Sequence, residues 1–233
     1  VFAEYRRWDA AHAQPLGRVT PASGNDPSPG RRLRVGYVSP DFRQHSAASF
    51  AEPLLAAHDP DAVELFLYSN APAEDTETAR FRKLTPHWRP IAGVPDEAVA
   101  ERIRRDGIDI LVDMAGHTAG NRLLVFARRP APINVNWFGF PGTMGTPYHH
   151  YIIADETIIP KGQEKYYSEK VVRLPCYQPN DRKRVRVIYN KILPDVETFV
   201  ATLGSEAIQY EVSATSVASP RANTLSINMS PVA

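Results

Sequence analysis

Three short segments concentrate the residues able to do chemistry: Ser39-Pro-Asp-Phe-Arg-Gln-His45, Asp113-Met-Ala-Gly-His-Thr-Ala-Gly120 and Phe138-Gly-Phe-Pro-Gly-Thr-Met-Gly145. His45 closes the first one directly before a helical pattern. There, backbone N–H groups point outward and an imidazole can act as acid, base or hydrogen-bond donor near neutral pH. The competing role for His45 is a cap or packing contact on that helix. His117 lies between Gly116 and Gly120, which let the backbone approach a ligand closely; its competing reading is an exposed loop histidine. The Gly139, Gly142, Gly145 spacing is not G-x-G-x-x-G, and no acidic residue follows at ribose distance, so NAD binding is disfavoured. His149-His150 reads as a surface pair, since neighbours in sequence seldom point at one ion. Cys176 has no activating base beside it and reads as an inert thiol. The chain carries no G-x-S-x-G elbow, no Walker loop and no H-E-x-x-H, which removes the commonest hydrolase, phosphate-loop and zinc-protease chemistries.

These segments need a scaffold, and the pattern around them supplies one. Short apolar runs at Leu33–Val38, Val63–Tyr68, Trp88–Ile91, Ile108–Val112, Ile133–Phe138, Tyr151–Ala154 and Val171–Leu174 read as strands. Helical patterns alternate with the earlier runs at Ala47–His58, Glu74–Leu84, Pro95–Asp106, with Gly107 just past its end, and Asn121–Ala127. Strands separated by helices of this length predict βαβ units: an α/β fold with a Rossmann-like parallel sheet covered on both faces. In such sheets ligands bind beyond the carboxyl ends of the strands, where all three segments fall. Ahead of the sheet, Val1 to Ala13 reads as a helix, with Phe2, Tyr5, Trp8 and Ala11 recurring at helical spacing, and Pro15 is counted with the linker that follows. Leu16 to Arg32, with Pro21, Pro27, Pro29, Gly17, Gly24 and Gly30, predicts a linker with few apolar anchors. After Val185 the chain turns Ser/Thr/Ala/Val-rich and shows no βα unit.

The 233 residues are 43% apolar and 23% charged, with 27 Lys+Arg against 26 Asp+Glu. That length carries a real core, and the balanced charge implies no nucleic-acid partner. A single cysteine excludes an intrachain disulfide and a cysteine-based zinc site, and suits a reducing cytoplasm. No run reaches the length of a membrane span, so no membrane partner is expected. The start at Val1 without Met is expected of a fragment.

The segments in this order resemble the O-GlcNAc transferase family in its bacterial form. The resemblance runs through Leu33-Arg-Val-Gly-Tyr-Val-Ser-Pro-Asp-Phe42, Asp106-Gly-Ile-Asp-Ile-Leu-Val-Asp-Met-Ala-Gly-His117, Arg129-Pro-Ala-Pro-Ile133, Gly139-Phe-Pro-Gly-Thr143, Tyr151-Ile-Ile-Ala-Asp155, Tyr167-Ser-Glu-Lys170 and Leu174-Pro. It implies one lobe of a two-lobed GT-B glycosyltransferase. That enzyme would move N-acetylglucosamine from UDP-GlcNAc to Ser or Thr hydroxyls of a protein or peptide with inversion, without metal or cofactor.

By the same resemblance His45 is the active-site histidine on the acceptor side. Gly139, Phe140, Pro141, Gly142 and Thr143 form a cleft-lining loop near the sugar and phosphates, and Gly116 and His117 a neighbouring loop. The implied organisation is residues 1–15 as the end of tetratricopeptide repeats, 16–32 as linker, 33–184 as the amino-terminal catalytic lobe and 185–233 as a tail unlike the family. The family's second lobe, with its UDP-contacting lysine and His-Thr-Thr-Gly loop, is not matched, and Lys191 is no substitute for that lysine. The chain alone is therefore expected to transfer little sugar. The alternative is a non-catalytic Rossmann-like binding or interaction module that has lost the donor lobe.

Overall fold

The computed structural model describes residues 2–17, 24–26, 28, 30–178, 210–216 and 225–231. They divide into two units, Val1–Tyr177 and Gln178–Ala233. In the first unit seven strands form one parallel sheet: β1 (Leu33–Ser39), β2 (Val63–Ser69), β3 (His87–Pro90), β4 (Ile110–Asp113), β5 (Ile133–Asn136), β6 (Tyr151–Ala154) and β7 (Lys170–Arg173). Their order across the sheet is β3-β2-β1-β4-β5-β6-β7. The expected Rossmann-like architecture is the observed one.

Both faces of the sheet are covered, which is why its inner strands read as continuous apolar runs. Alternate residues of a strand serve opposite cores. Val35, Tyr37, Leu65 and Leu67 join Ala51, Leu55 and Phe81 on one side, from helices α3 (Ala48–Ala56) and α4 (Thr76–Arg82). Val38, Phe66, Tyr68 and Leu111 join Val99, Ile103 and Phe126 on the other, from α5 (Asp96–Asp106) and α6 (Leu123–Ala127). Local chemistry sets the helix ends. Asp75 and Thr78 form a reciprocal capping box at α4, and α5 stops at Gly107, whose φ of +66° suits glycine.

The amino-terminal helix departs from the sequence reading. It runs from α1 (Phe2–Trp8) through a π-helical turn (Asp9–Ala13) into α2 (Gln14–Gly17) and so includes Pro15 and Leu16. The Gln14 N–H bonds Asp9 O, and Pro15 falls just after it, at the changeover back to α geometry, where a missing N–H costs least. The linker also proves anchored where it is described. Asn25 Nδ2 donates to Gly107 O and Ile108 O, both at 3.1 Å, and to Asp109 Oδ1 at 2.6 Å. Arg31 grips the Asp109 carboxylate through both terminal nitrogens, at 2.7 and 2.6 Å. Burial would raise the Asp109 pKa, but bonds from Arg31, Asn25 and the Arg34 N–H outweigh it and hold the carboxyl at about 2. Composition missed this anchor because it counts apolar residues, and the anchor is polar.

Within the second unit, β8 (Tyr210–Ser216) pairs antiparallel with β9 (Leu225–Pro231). Residues 179–184, the end of the expected lobe, and the rest of the tail lie outside the described residues.

Candidate active site

The sheet order reverses between β1 and β4: from β1 the chain steps outward through β2 and β3, then returns to β4 on the other side. In open α/β sheets the loops after two such strands part, and the gap between them is the usual ligand position. The three chemistry-bearing segments are the loops after β1, β4 and β5, which lie side by side at that edge.

The β4 and β5 loops are braced from below by buried polar side chains. Asp113, the last residue of β4, accepts from the Ala115 and Gly116 N–H groups through Oδ1, both at 2.9 Å. Its Oδ2 lies 3.2 Å from His149 Nε2, and His149 Nδ1 lies 2.9 Å from Thr146 Oγ1. A carboxylate only accepts, so Nε2 carries a proton, and in the neutral ring Nδ1 then accepts from the Thr146 hydroxyl. His149 is 2% exposed and stacks on Phe126. The expected surface pair is therefore corrected: His149 is a core histidine made tolerable by two bonds, and His150 Nδ1 accepts from the Asn134 N–H.

Above that layer, Asn136 Nδ2 donates to Phe140 O at 3.2 Å and Gly142 O at 3.1 Å. The buried Glu169 takes the Met144 N–H at 2.6 Å and the Thr143 hydroxyl at 2.8 Å. Tyr167 donates to Pro141 O at 3.3 Å. Phe138 holds φ at +96°, a costly conformation for a residue with a Cβ, and its N–H meets the Tyr177 hydroxyl at 3.2 Å.

Seven of the eight residues singled out from sequence meet here. Gly116 has φ of +55°, and a Cβ on it would collide with Phe140; a Cβ on Gly139 would collide with the Met114 carbonyl. The immediate reason for these glycines is thus the contact of one loop with the other. His117 is half-buried rather than exposed, which corrects the loop-histidine reading. Its ring stacks on Tyr5 at 3.8 Å and 15°, meets the edge of Phe140 at 5.2 Å, and lies 3.1 Å from Met144 O through Nε2. Burial pushes its pKa down, more than the Met144 carbonyl raises it.

His45, the eighth, stands on the neighbouring loop with 40% of its side chain exposed. The loop is pinned around it. Phe42 is fully buried against Phe81, the Thr78 hydroxyl donates to Phe42 O at 2.9 Å, and the Gln44 N–H donates to Asp75 at 2.6 Å. Gly120 abuts Pro40 and joins this loop to the next. His45 Nδ1 accepts from the Ala47 N–H at 3.2 Å, and Asp41 Oδ2 lies 3.6 Å from the same nitrogen.

Sequence reasoning missed the bracing residues Asp113, Asn136, His149, Glu169 and Tyr5. Asp113 and Glu169 sit inside matched motifs, but only contacts distant in sequence reveal their roles. No group of three or more His, Cys, Asp or Glu among the described residues could hold a metal ion. No described helix is long and apolar enough to cross a membrane.

The model for Glycosyl transferase family 41 matches residues 18–197, thus also residues 185–197, which the sequence reading left unaligned. A protein of Petunia hybrida described as "Probable UDP-N-acetylglucosamine--peptide N-acetylglucosaminyltransferase SPINDLY" is 37% identical over 188 residues, covering 77% of this chain and 19% of the relative. An Arabidopsis thaliana relative of the same description but named SEC is 38% identical over 156 residues, 66% of this chain and 16% of its own. The solved structure of a Thermobaculum terrenum O-GlcNAc transferase mutant superposes with a TM-score of 0.71 at 41% identity, covering 76% of this chain and 34% of that one. The chain thus spans about a fifth of the length of these curated relatives. With the strand order, the solved structure and the family model in agreement over most of its length, this chain belongs to glycosyltransferase family 41.

Proposed function

We propose that the chain is the amino-terminal catalytic lobe of a protein O-GlcNAc transferase, moving N-acetylglucosamine from UDP-GlcNAc to Ser or Thr hydroxyls of a protein or peptide with inversion. The observation that carries this reading is that an exposed imidazole, His45, and an immobilised glycine loop both follow strands at one edge of the parallel sheet of a family 41 lobe. In-line transfer asks for two things. The acceptor hydroxyl must shed its proton as it attacks the anomeric carbon, and the UDP that leaves with the bonding pair must have its charge met by fixed donors. His45 serves the acceptor side. The backbone of Gly139, Phe140, Pro141, Gly142 and Thr143 lines the side of the sugar and phosphates, with Gly116 and His117 beneath it. UDP-GlcNAc is the donor substrate, and the reading uses no metal or other cofactor. Helix Phe2–Gly17 is read as the end of a helical repeat region, and the working compartment as the cytoplasm.

The test is transfer of labelled sugar to an acceptor peptide by a protein carrying this lobe together with a second one. Transfer by the parent and its loss in His45→Ala, at unchanged melting temperature, supports the reading. A parent that binds acceptor peptide yet transfers nothing from UDP-GlcNAc points instead to the non-catalytic module. The 233-residue chain by itself should turn over little, because half a cleft positions the donor poorly, and lost positioning alone removes many orders of magnitude in rate.

A further inference from the structure

We infer that Asp41 is a positioning residue that selects the proton-accepting form of His45; the inference rests on the reading of His45 as a site residue. Two groups compete for His45 Nδ1. The Ala47 N–H can only donate and lies 3.2 Å away, and the Asp41 carboxylate can only accept and lies 3.6 Å away. Each choice dictates the other nitrogen. With Ala47 as partner, a neutral ring carries its proton on Nε2, which is then a donor. With Asp41 as partner, Nδ1 carries the proton and Nε2 presents a lone pair. Only the second form can take the proton of an acceptor hydroxyl.

Asp41 is built for the second form. Its own N–H donates to Ser39 Oγ at 3.0 Å, which fixes the residue at the end of β1, and its carboxylate is 17% exposed. Arg43 faces the other oxygen, with Nη2 at 3.5 Å from Oδ1, and leaves Oδ2 directed at the imidazole. Asp75 is engaged by the Gln44 and Thr78 N–H groups, so Asp41 is the carboxylate at the ring. A closure of less than 1 Å brings Nδ1–H into hydrogen-bond range, and a charge-assisted bond of that kind is roughly twice as strong as the neutral bond from Ala47. When Nε2 then takes the hydroxyl proton, the hydroxyl oxygen uses its freed pair to form the bond to the anomeric carbon. The carbon–oxygen bond to UDP breaks with its pair on the leaving phosphate, and the imidazolium keeps its Nδ1–H on Asp41.

The test reads tautomers directly. Nitrogen-15 histidine spectra of the 233-residue chain at about pH 9, where an ordinary imidazole is neutral, should show His45 mainly as the Nδ1–H form. Asp41→Ala should shift the tautomer ratio about tenfold toward Nε2–H, and Asp41→Asn, which keeps the shape without the charge, should lie between. His149 spectra report whether the variants remain folded. A His45 held mainly as Nε2–H and unmoved by either variant overturns the inference. So does, in the two-lobed protein, a kcat unchanged in Asp41→Ala. The tautomer measurement needs no sugar transfer, so failure of the transferase reading and failure of this one remain distinguishable.

Discussion

The loop after β5 and the loop after β1 leave the same edge of the sheet, yet they are built in opposite ways. The first is locked from several sides: Asn136 and Glu169 hold two of its carbonyls, the Met144 amide and the Thr143 hydroxyl, Gly139 presses on the Met114 carbonyl, and Tyr5 caps its His117 neighbour. The second is pinned at Phe42 and Gln44 but leaves its terminal imidazole open, with only local partners. A loop that presents backbone to charged phosphates works best when it need not rearrange, because preorganised dipoles lose nothing at the moment of reaction. A group that must gain and lose a proton needs the opposite: access, and partners that differ between its two states. The bonding shows rigidity on one side and an open imidazole on the other; under the proposed function this difference is a division of labour.

The contrast breaks most sharply at its two ends. In a protein carrying both lobes, His45→Ala should lower kcat about 10²–10⁴-fold while the melting temperature hardly moves. A melting loss that accounts for the missing activity would reduce His45 to a cap. Asp113→Ala should do the reverse in the present chain. It leaves three buried donors, His149 Nε2 and two loop N–H groups, without their acceptor, at about 1–3 kcal/mol each, and denaturant melts should show a loss of about 3–5 kcal/mol. Gly139→Ala forces the β5 loop off the Met114 carbonyl and should cost about 1–3 kcal/mol, again by denaturant melt.

Acid stability separates the site from the far end of β4. Asp109 titrates near 2 in the folded chain against an ordinary 3.8. Its folded pKa is depressed, so its contribution is fully present above about pH 4 and is lost as the pH falls toward 2. The shift corresponds to about 2 kcal/mol. Asp109→Asn should flatten that acid limb in pH-dependent melts and leave any His45 behaviour unaltered. The smallest effect belongs to Tyr5→Ala, which removes one stacking partner from His117 and should cost about 1 kcal/mol by melt.

Much of the fold was legible residue by residue. Val63–Tyr68 and Leu33–Val38 read as buried strands because parallel strands covered on both faces have no polar side to show, and Gly107 marked the end of α5 because a left-handed residue there favours glycine. The amino-terminal helix was less legible, since Pro15 signals a break in one dimension and a π turn absorbs it in three. At the site, the residue types and positions of His45, His117 and the 139–143 loop could be picked out from where strands end and glycines cluster. Their environments could not. That His117 would be stacked under Tyr5, 112 positions earlier in the sequence, or that His149 would be buried on Asp113, depends on which distant segments share a layer.

Local pattern therefore determined the succession of elements, their two-faced burial and the edge at which chemistry would gather, because period and turn chemistry act over a few residues. Tertiary structure alone decided which carboxylates brace the loops, whereas the one that faces His45 is only four positions away in sequence. Bonds from Glu169 to Thr143 and from Asp75 to Gln44 join residues 26 and 31 positions apart, and their energy exists only once the sheet has brought those loops together in space.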